Sequence, residues 1–265
     1  MEQVLGSDWL ITPAGGSSGE AYLAENNNQQ KLFLKRNSSP FLAILSAEGI
    51  VPKLVWTKRL ADGDVITAQK WLEGRVLTKS EMKQDDVVQL ISKIHHSSEI
   101  LHLFMRMGKK PLEPWHLLVN LHEKARKLRV SNIDFVKQST DFLSNNIDFV
   151  ENYKKVVCHA DLNHSNWMLG EDNHLYLIDW DNAVLADPAM DLSMLLYQYI
   201  SRSEWEEWLK RYGVQLDDHL LARCQWYKTA QSLSFYLWHL ERGDEHECAK
   251  WKEQLTSNQQ LFIKY

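Results

Sequence analysis

The stretch VVCHADLNHSNWMLGEDNHLYLIDWDNA, residues 156–183, gathers His, Asp and Asn between two short apolar runs. Its densest part, HADLNHSN, has the pattern H-x-D-x-x-x-x-N, and Asp179 closes the following run LYLID. Phosphoryl transfer needs little covalent help from a protein. It needs phosphates held, Mg2+ placed, and an acceptor hydroxyl aimed in line beside a carboxylate. The spacing offers Asp161 as the base that takes the hydroxyl proton and Asn166 as a Mg2+ ligand. Asp179, at a strand end, presents a rigid oxygen of the kind a hard cation prefers. His159 orients the loop by hydrogen bonding and does not itself transfer a proton. Two other readings stay open. Asp161 and Asn166 are residue types that cap turns. His159, Asp161 and His164 would suit a metal hydrolase, but that needs a further cluster at ligand spacing, which His95-His96 and His174 do not obviously supply.

Other candidates lie upstream. GGSSGEAY sits between two strand-like runs, and Gly15, Gly16 and Gly19 would let backbone amides approach phosphate oxygens; an ordinary hairpin loop is the alternative. The Walker pattern G-x-x-x-x-G-K-[ST] is absent. Lys35 ends the alternation of KLFLK, and Glu48 follows on the next helix; such a Lys–Glu pair holds the α/β-phosphates in phosphoryl-transfer enzymes. Lys31, Arg36 and Lys53 compete for the lysine's role. The segment ITAQKWLEG, with Gln69, Trp71 and Leu72, would offer backbone to adenine or be a plain edge strand. Asp181 suits a second Mg2+, an acceptor sugar or a turn. Trp180 beside it would cover an apolar sugar face. Asp191 opens an apolar helix, where a carboxylate caps amide groups or supports the catalytic loop.

These residues need elements to hold them. WLITPA, EAYLAE and KLFLKR read as strands separated by turn chemistry, SPFLAILSAEGI as a short helix, and PKLVWTKRL–ADGD–VITAQKWLEG as a hairpin. From Thr78 the period changes: Val87, Leu90, Ile91 and Ile94 mark an amphipathic helix. Helical stretches follow near 115–128 and 134–150, strands at KVVCHA and HLYLIDW, and helix nearly to the end after Asp187-Pro188. The expectation is an α+β chain of two lobes: a small β-rich nucleotide-binding lobe over 1–75, and a larger, mostly helical catalytic and acceptor-binding lobe over 76–265.

Composition narrows the classes. Thirty Lys+Arg against 35 Asp+Glu give −5, mixed along the chain without a basic patch, which argues against direct nucleic-acid binding. No run approaches the roughly 18 apolar residues of a membrane helix, and Glu2 and Asp8 spoil a signal-peptide reading. Cys158, Cys224 and Cys248 are scattered, which fits a reducing cytoplasm better than a disulfide scaffold or thiolate zinc site. Eleven tryptophans imply an aromatic helical core or, less economically, an aromatic ligand cage.

HADLNHSN, LIDWDNA and DPAMDLS resemble the aminoglycoside phosphotransferase and choline kinase family, and the order of motifs extends this over nearly the whole chain. The resemblance implies a kinase-like bilobal fold acting on small molecules with ATP and Mg2+. It implies Asp161 as base, Asn166 and Asp179 as metal ligands, and Lys35 with Glu48 as the ATP clamp. Ala160 departs from the Gly of many relatives, reducing backbone freedom there. ITPAGGSSGEAY, the run from FLKRN to LADG, and HSNW with LIDWD look most like the bacterial cell-cycle regulator kinases of the CcrZ type, from Gram-positive bacteria. That implies a cytoplasmic kinase of ribose or 2-deoxyribose linked to replication initiation and cell division, with proteins of those processes as partners. Choline or aminoglycoside phosphorylation, and a kinase-like scaffold, are the competing functions.

Overall fold

The computed structural model describes residues 5–14 and 20–259, so Gly15, Gly16 and Gly19 lie outside the described residues. In chain order the strands are β1 (Trp9–Pro13), β2 (Ala21–Asn26), β3 (Lys31–Arg36), β4 (Leu54–Arg59), β5 (Val65–Lys70), β6 (Gly74–Val76), β7 (Val156–Cys158), β8 (Trp167–Gly170), β9 (Leu175–Leu177) and β10 (Val184–Ala186). The helices are α1 (Phe41–Ala47), α2 (Asp85–His96), α3 (Ser98–Arg106), α4 (Pro114–Lys127), α5 (Asp134–Asn145), α6 (Ala189–Tyr199), α7 (Trp205–Tyr212), α8 (Asp218–Arg242) and α9 (Glu245–Gln259). They fall into two compact units that interleave along the chain. The first comprises Met1–Leu90, Ser97–Gly108 and Leu162–Ala183; the second comprises Ile91–His96, Lys109–Asp161 and Val184–Tyr265.

The first unit is built on an antiparallel five-stranded sheet of order β1-β2-β3-β5-β4. Successive strand residues face opposite sides, so Leu32 and Leu34 enter a core with Ala24, Ile66 and Ala68 while Lys31, Phe33 and Lys35 take the other face. Asp62-Gly63-Asp64 closes the β4–β5 hairpin, with Gly63 at φ +93 and Asp62 accepting from the Asp64 amide. A second sheet, β6-β8-β9, joins Gly74–Val76 to the hairpin that leads to Asp179. At its Gly74–Gly170 pair a Cβ on Gly74 would overlap the Leu169 carbonyl oxygen, so only glycine fits there.

The second unit is helical apart from the antiparallel pair β7–β10. Its centre is α8, which packs against α4, α5, α6 and α9. Asp217 caps the start of α8 by accepting from the Leu220 amide, and Gly243 ends it in the left-handed region. Trp205, Trp208, Trp226 and Trp251 are buried, and Trp226 donates its Nε1 to the Leu143 carbonyl at 2.9 Å. The abundant tryptophans are therefore largely core. Among the described residues no helix is long and apolar enough to cross a membrane.

Trp226→Ala removes a fully buried ring and strands a carbonyl, and should cost about 3–5 kcal/mol in urea unfolding. Trp115→Ala, at a half-exposed position on α4, should cost about 1 kcal/mol or less. Equal losses at both positions would contradict this placement of the core.

Candidate phosphoryl-transfer site

In the first unit Lys35 extends from β3, opposite Ala21 on β2 and Thr67 on β5. Its ammonium lies 3.1 Å from Asp179 Oδ1 and 2.7 Å from Asp181 Oδ2. The lysine side chain is 19% exposed and each aspartate 52%. Burial works to lower the Lys35 pKa, but the hydrogen bonds and charges of Asp181 and Asp179 outweigh it; the net shift is upward and the ammonium stays charged. Two of the competing cations are engaged elsewhere: Lys31 pairs with Glu73 at 2.9 Å, and Arg36 with Asp62 and Asp64.

Asp179 adopts a left-handed conformation at φ +61 and is followed by a 3-10 turn, Trp180–Asn182. Trp180 anchors that turn. Its Nε1 donates to the Leu177 carbonyl at 2.7 Å, and its buried ring meets Phe41 edge to face, which in turn meets Phe104. The expectation that Trp180 covers an acceptor does not fit this packing: the ring is spent on the core. Asn166 ends another 3-10 turn, where the Asn163 side chain accepts from the Ser165 amide. The Ile178 amide donates to the Asn166 carbonyl at 2.8 Å, which ties Asn166 to the residue before Asp179. The Leu177 amide donates to Ile50, and His174 to the Gly49 carbonyl, fixing the β8–β9 hairpin against the segment after α1. Asp179 and Asp181 thus converge on the Lys35 ammonium, and Asn166 is tied through its backbone to the residue before Asp179; carboxylate and carboxamide oxygens are the donor types that Mg2+ takes.

The remaining candidates of this unit lie at its edges. Glu48 is the C-cap of α1. Gln69 is buried and donates to the Pro52 carbonyl at 2.7 Å, so its side chain holds the chain rather than a ligand. The Trp71 amide donates to Lys31 at 3.2 Å. Among the described residues Leu72 alone of these three has both backbone groups unpaired within the protein.

In the second unit β7 delivers the chain into the His159–Asp161 turn. Asp191, 1% exposed at the start of α6, accepts from the His159 amide at 2.8 Å and the Ala160 amide at 2.9 Å. Its Oδ2 also lies 3.1 Å from His95 Nε2, and His95 Nδ1 lies 2.8 Å from the Tyr212 hydroxyl. Burial pushes the Tyr212 phenol far up, with Cys158, Asp191 and Asp187 adding, so the hydroxyl keeps its proton and donates to Nδ1. His95 then donates from Nε2 to Asp191. The Asp161 amide lies 3.3 Å from His159 Nδ1, which makes that nitrogen an acceptor. Ala160 takes φ +66, in the left-handed region that glycine enters more readily.

Asp191 was legible as a structural residue; its partners His95 and Tyr212 were not. The available signal is spacing: Val87, Ile91 and His95 recur every four residues on the buried face of α2. Among the described residues the one grouping of potential metal ligands is His95, Cys158 and Asp191, with ligand atoms within 4.8 Å. His95 and Asp191 are bonded to each other. Burial pushes the Cys158 thiol far up, and it donates to the Asp187 and Ala186 carbonyls. A protonated thiol is no metal ligand, and the grouping does not contain the hydrolase set His159, Asp161 and His164.

A β-sheet unit carrying the lysine and oxygen donors, and a mostly helical unit carrying the Asp161 turn, make a kinase-like fold. It is shared with solved structures. Choline kinase LicA from Streptococcus pneumoniae is 18% identical with a TM-score of 0.73, over 97% of this chain and 95% of that one. The GDP complex of aminoglycoside 2'-phosphotransferase-IIIa is 16% identical with a TM-score of 0.67, over 96% and 93%. A choline/ethanolamine kinase family protein from Mesorhizobium loti is 15% identical with a TM-score of 0.67, over 100% and 92%. Residues 9–227 match the phosphotransferase enzyme family, APH, and the chain belongs to it. It is an ATP-dependent phosphotransferase acting on a hydroxyl acceptor.

Ala160→Gly relieves a left-handed alanine and should raise stability by about 1 kcal/mol, seen as a higher melting temperature. No gain would contradict strain at this turn.

Proposed function

We propose that the enzyme moves the γ-phosphoryl group of ATP to a hydroxyl of a small neutral sugar, ribose or 2-deoxyribose. The observation that carries the phosphoryl-transfer reading is the convergence of Asp179 and Asp181 on Lys35, with Asn166 tethered beside them. Asn166 and Asp179 would hold Mg2+, Asp181 being available for a second ion, and bound Mg2+ supplies neutralisation of phosphate charge. Lys35, with Glu48, steadies the α/β-phosphates. The unpaired Leu72 backbone supports adenine recognition at the segment after β5. In the transfer the acceptor oxygen bonds to the γ-phosphorus, the bond to the β–γ bridging oxygen breaks, and ADP leaves. The hydroxyl proton passes to the Asp161 carboxylate. His159, accepting from the Asp161 amide, fixes the direction of that carboxylate's backbone.

The sugar rests on the likeness of several segments to CcrZ-type kinases and on one feature of the second unit. A choline cation wants a cage of aromatic faces. Trp205, Trp208, Trp226 and Trp251 are buried, and the half-exposed Trp238 already has Arg242 over its ring at 3.6 Å. These rings supply no cage. The fold likeness to choline kinase makes choline the second reading. The same CcrZ-type likeness carries the cellular part: a cytoplasmic enzyme linked to replication initiation and cell division, with proteins of those processes as partners.

The test is product formation with Mg2+ and ATP on ribose, 2-deoxyribose, choline and kanamycin in parallel, read by phosphorus NMR. A pentose phosphate should dominate, and a preference for choline would defeat the sugar while leaving phosphotransfer intact. Asp161→Asn should lower turnover at least about 100-fold with little change in ATP affinity; near-normal turnover would remove Asp161 as base. Asp179→Ala should raise the Mg2+ requirement steeply, because octahedral Mg2+ tolerates lost oxygen ligands poorly, whereas His164→Ala should not.

A further inference from the structure

The second unit contains a cavity of about 630 Å³ that neither His159 nor Asp161 lines. Its body is apolar, formed by Val156, Pro188, Leu192, Val214 and Leu220. Its polar groups include two cations, Arg223 and Lys154. The one lining carboxylate, Asp217, is committed to the Leu220 amide at 2.7 Å as the cap of α8.

Arg223 is the fixed point of this wall. Its Nη1 donates to the buried Asp187 at 2.8 Å, and its guanidinium lies 3.8 Å over the Tyr153 ring. Its Nε is buried with no hydrogen-bond partner among the described residues. The guanidinium lines the cavity, and its charge favours an acceptor that enters, most strongly an anionic one. A cationic ligand is disfavoured, since the Tyr153 face is already taken by a cation. The lining also includes Tyr212 and His95, the two groups that bond through to Asp191 and so to the His159 and Ala160 amides.

We propose that this cavity binds a small organic anion, a carboxylate or phosphate on a compact apolar body, and that occupancy adjusts the His159–Ala160 turn through Tyr212, His95 and Asp191. Any effect on turnover rests on the phosphotransfer reading above; binding and coupling do not. A ligand against Tyr212 shifts the hydroxyl that orders His95, and Asp191 then holds the strained Ala160 turn more or less firmly. The hydrogen-bonded chain from Tyr212 through His95 to Asp191 is the route proposed for this coupling.

The experiment uses the full chain and three probes of similar body: benzoate, phenyl phosphate and neutral benzamide. Calorimetry should show saturable one-to-one binding of at least one anion, about tenfold or more tighter than benzamide. Val214→Trp, which fills the cavity from the α7–α8 loop, should weaken that binding about tenfold or more, and Arg223→Lys should weaken the anion more than benzamide. In hydrogen exchange, occupancy should change the rates of the His159 and Ala160 amides about threefold or more, and Tyr212→Phe should abolish that change while binding persists. Equal affinity for benzamide, or anion binding that survives Val214→Trp, overturns the site. Unchanged exchange in the occupied protein overturns the coupling. Both readouts are independent of turnover, so an inactive phosphotransferase would fail the earlier proposal alone.

Discussion

A carboxylate buried as deeply as Asp191 is tolerable only if its charge is met from several sides, because transfer of an unpaired carboxylate out of water costs more than a whole domain's stability. Asp191 is met by the His159 and Ala160 amides and by His95. Those donors do more than satisfy it. Two consecutive amides pointing at one carboxylate dictate the course of the backbone between them, and that course requires the positive φ of Ala160. The direction in which the chain leaves this turn, toward Asp161 and Leu162, is a consequence of where α6 places its first carboxylate. A local strain is thus stored in the turn and held by a buried ionic hydrogen-bond set.

The first unit solves a different electrostatic problem. Asp179 and Asp181 are separated by one residue in a tight turn and would repel each other. Lys35 comes from a strand distant in sequence and bonds to both. Two carboxylates and one ammonium leave one net negative charge, the sign that draws a divalent cation. The donors are also pre-positioned, so less ordering is left for the binding event. Trp180 between them is the mechanical part. By packing on Phe41 and bonding to Leu177 it keeps the turn rigid, which is why an aromatic flanked by two aspartates faces the core and no ligand.

Much of this could be read from the chain because its signals are local. The Asp-Gly of β4–β5, the alternation of β3 and the four-residue recurrence in α2 each report their own element. The H-x-D-x-x-x-x-N pattern marks a loop whose geometry is set over a few residues. Features made by convergence were hidden. β6 is three exposed residues whose strand character exists only through pairing with β8. The break between α2 and α3 turns on Ser97 capping the Ile100 amide, in a sequence that otherwise continues the helical period. Tyr212 and His95 meet across most of the second unit's sequence, and Lys35 meets Asp179 across most of the chain. No spacing rule anticipates such encounters.

The chemistry and the choice of acceptor therefore draw on different resources of the fold. The candidate phosphoryl-transfer carboxylates Asp161, Asp179 and Asp181 sit on short turns whose conformations are fixed by buried partners, so their arrangement is a property of the backbone. The helices of the second unit carry little that is free to select a substrate. α8 buries its central stretch, and its Trp226, Tyr227 and Tyr236 rings fill the core. Such rings cannot also close around a cation without opening the core, at a cost of several kcal/mol for each large side chain withdrawn. Selection must then fall to the partly exposed polar residues that packing leaves over. The neutral polyol proposed as acceptor would be read on such a surface by a few hydrogen bonds.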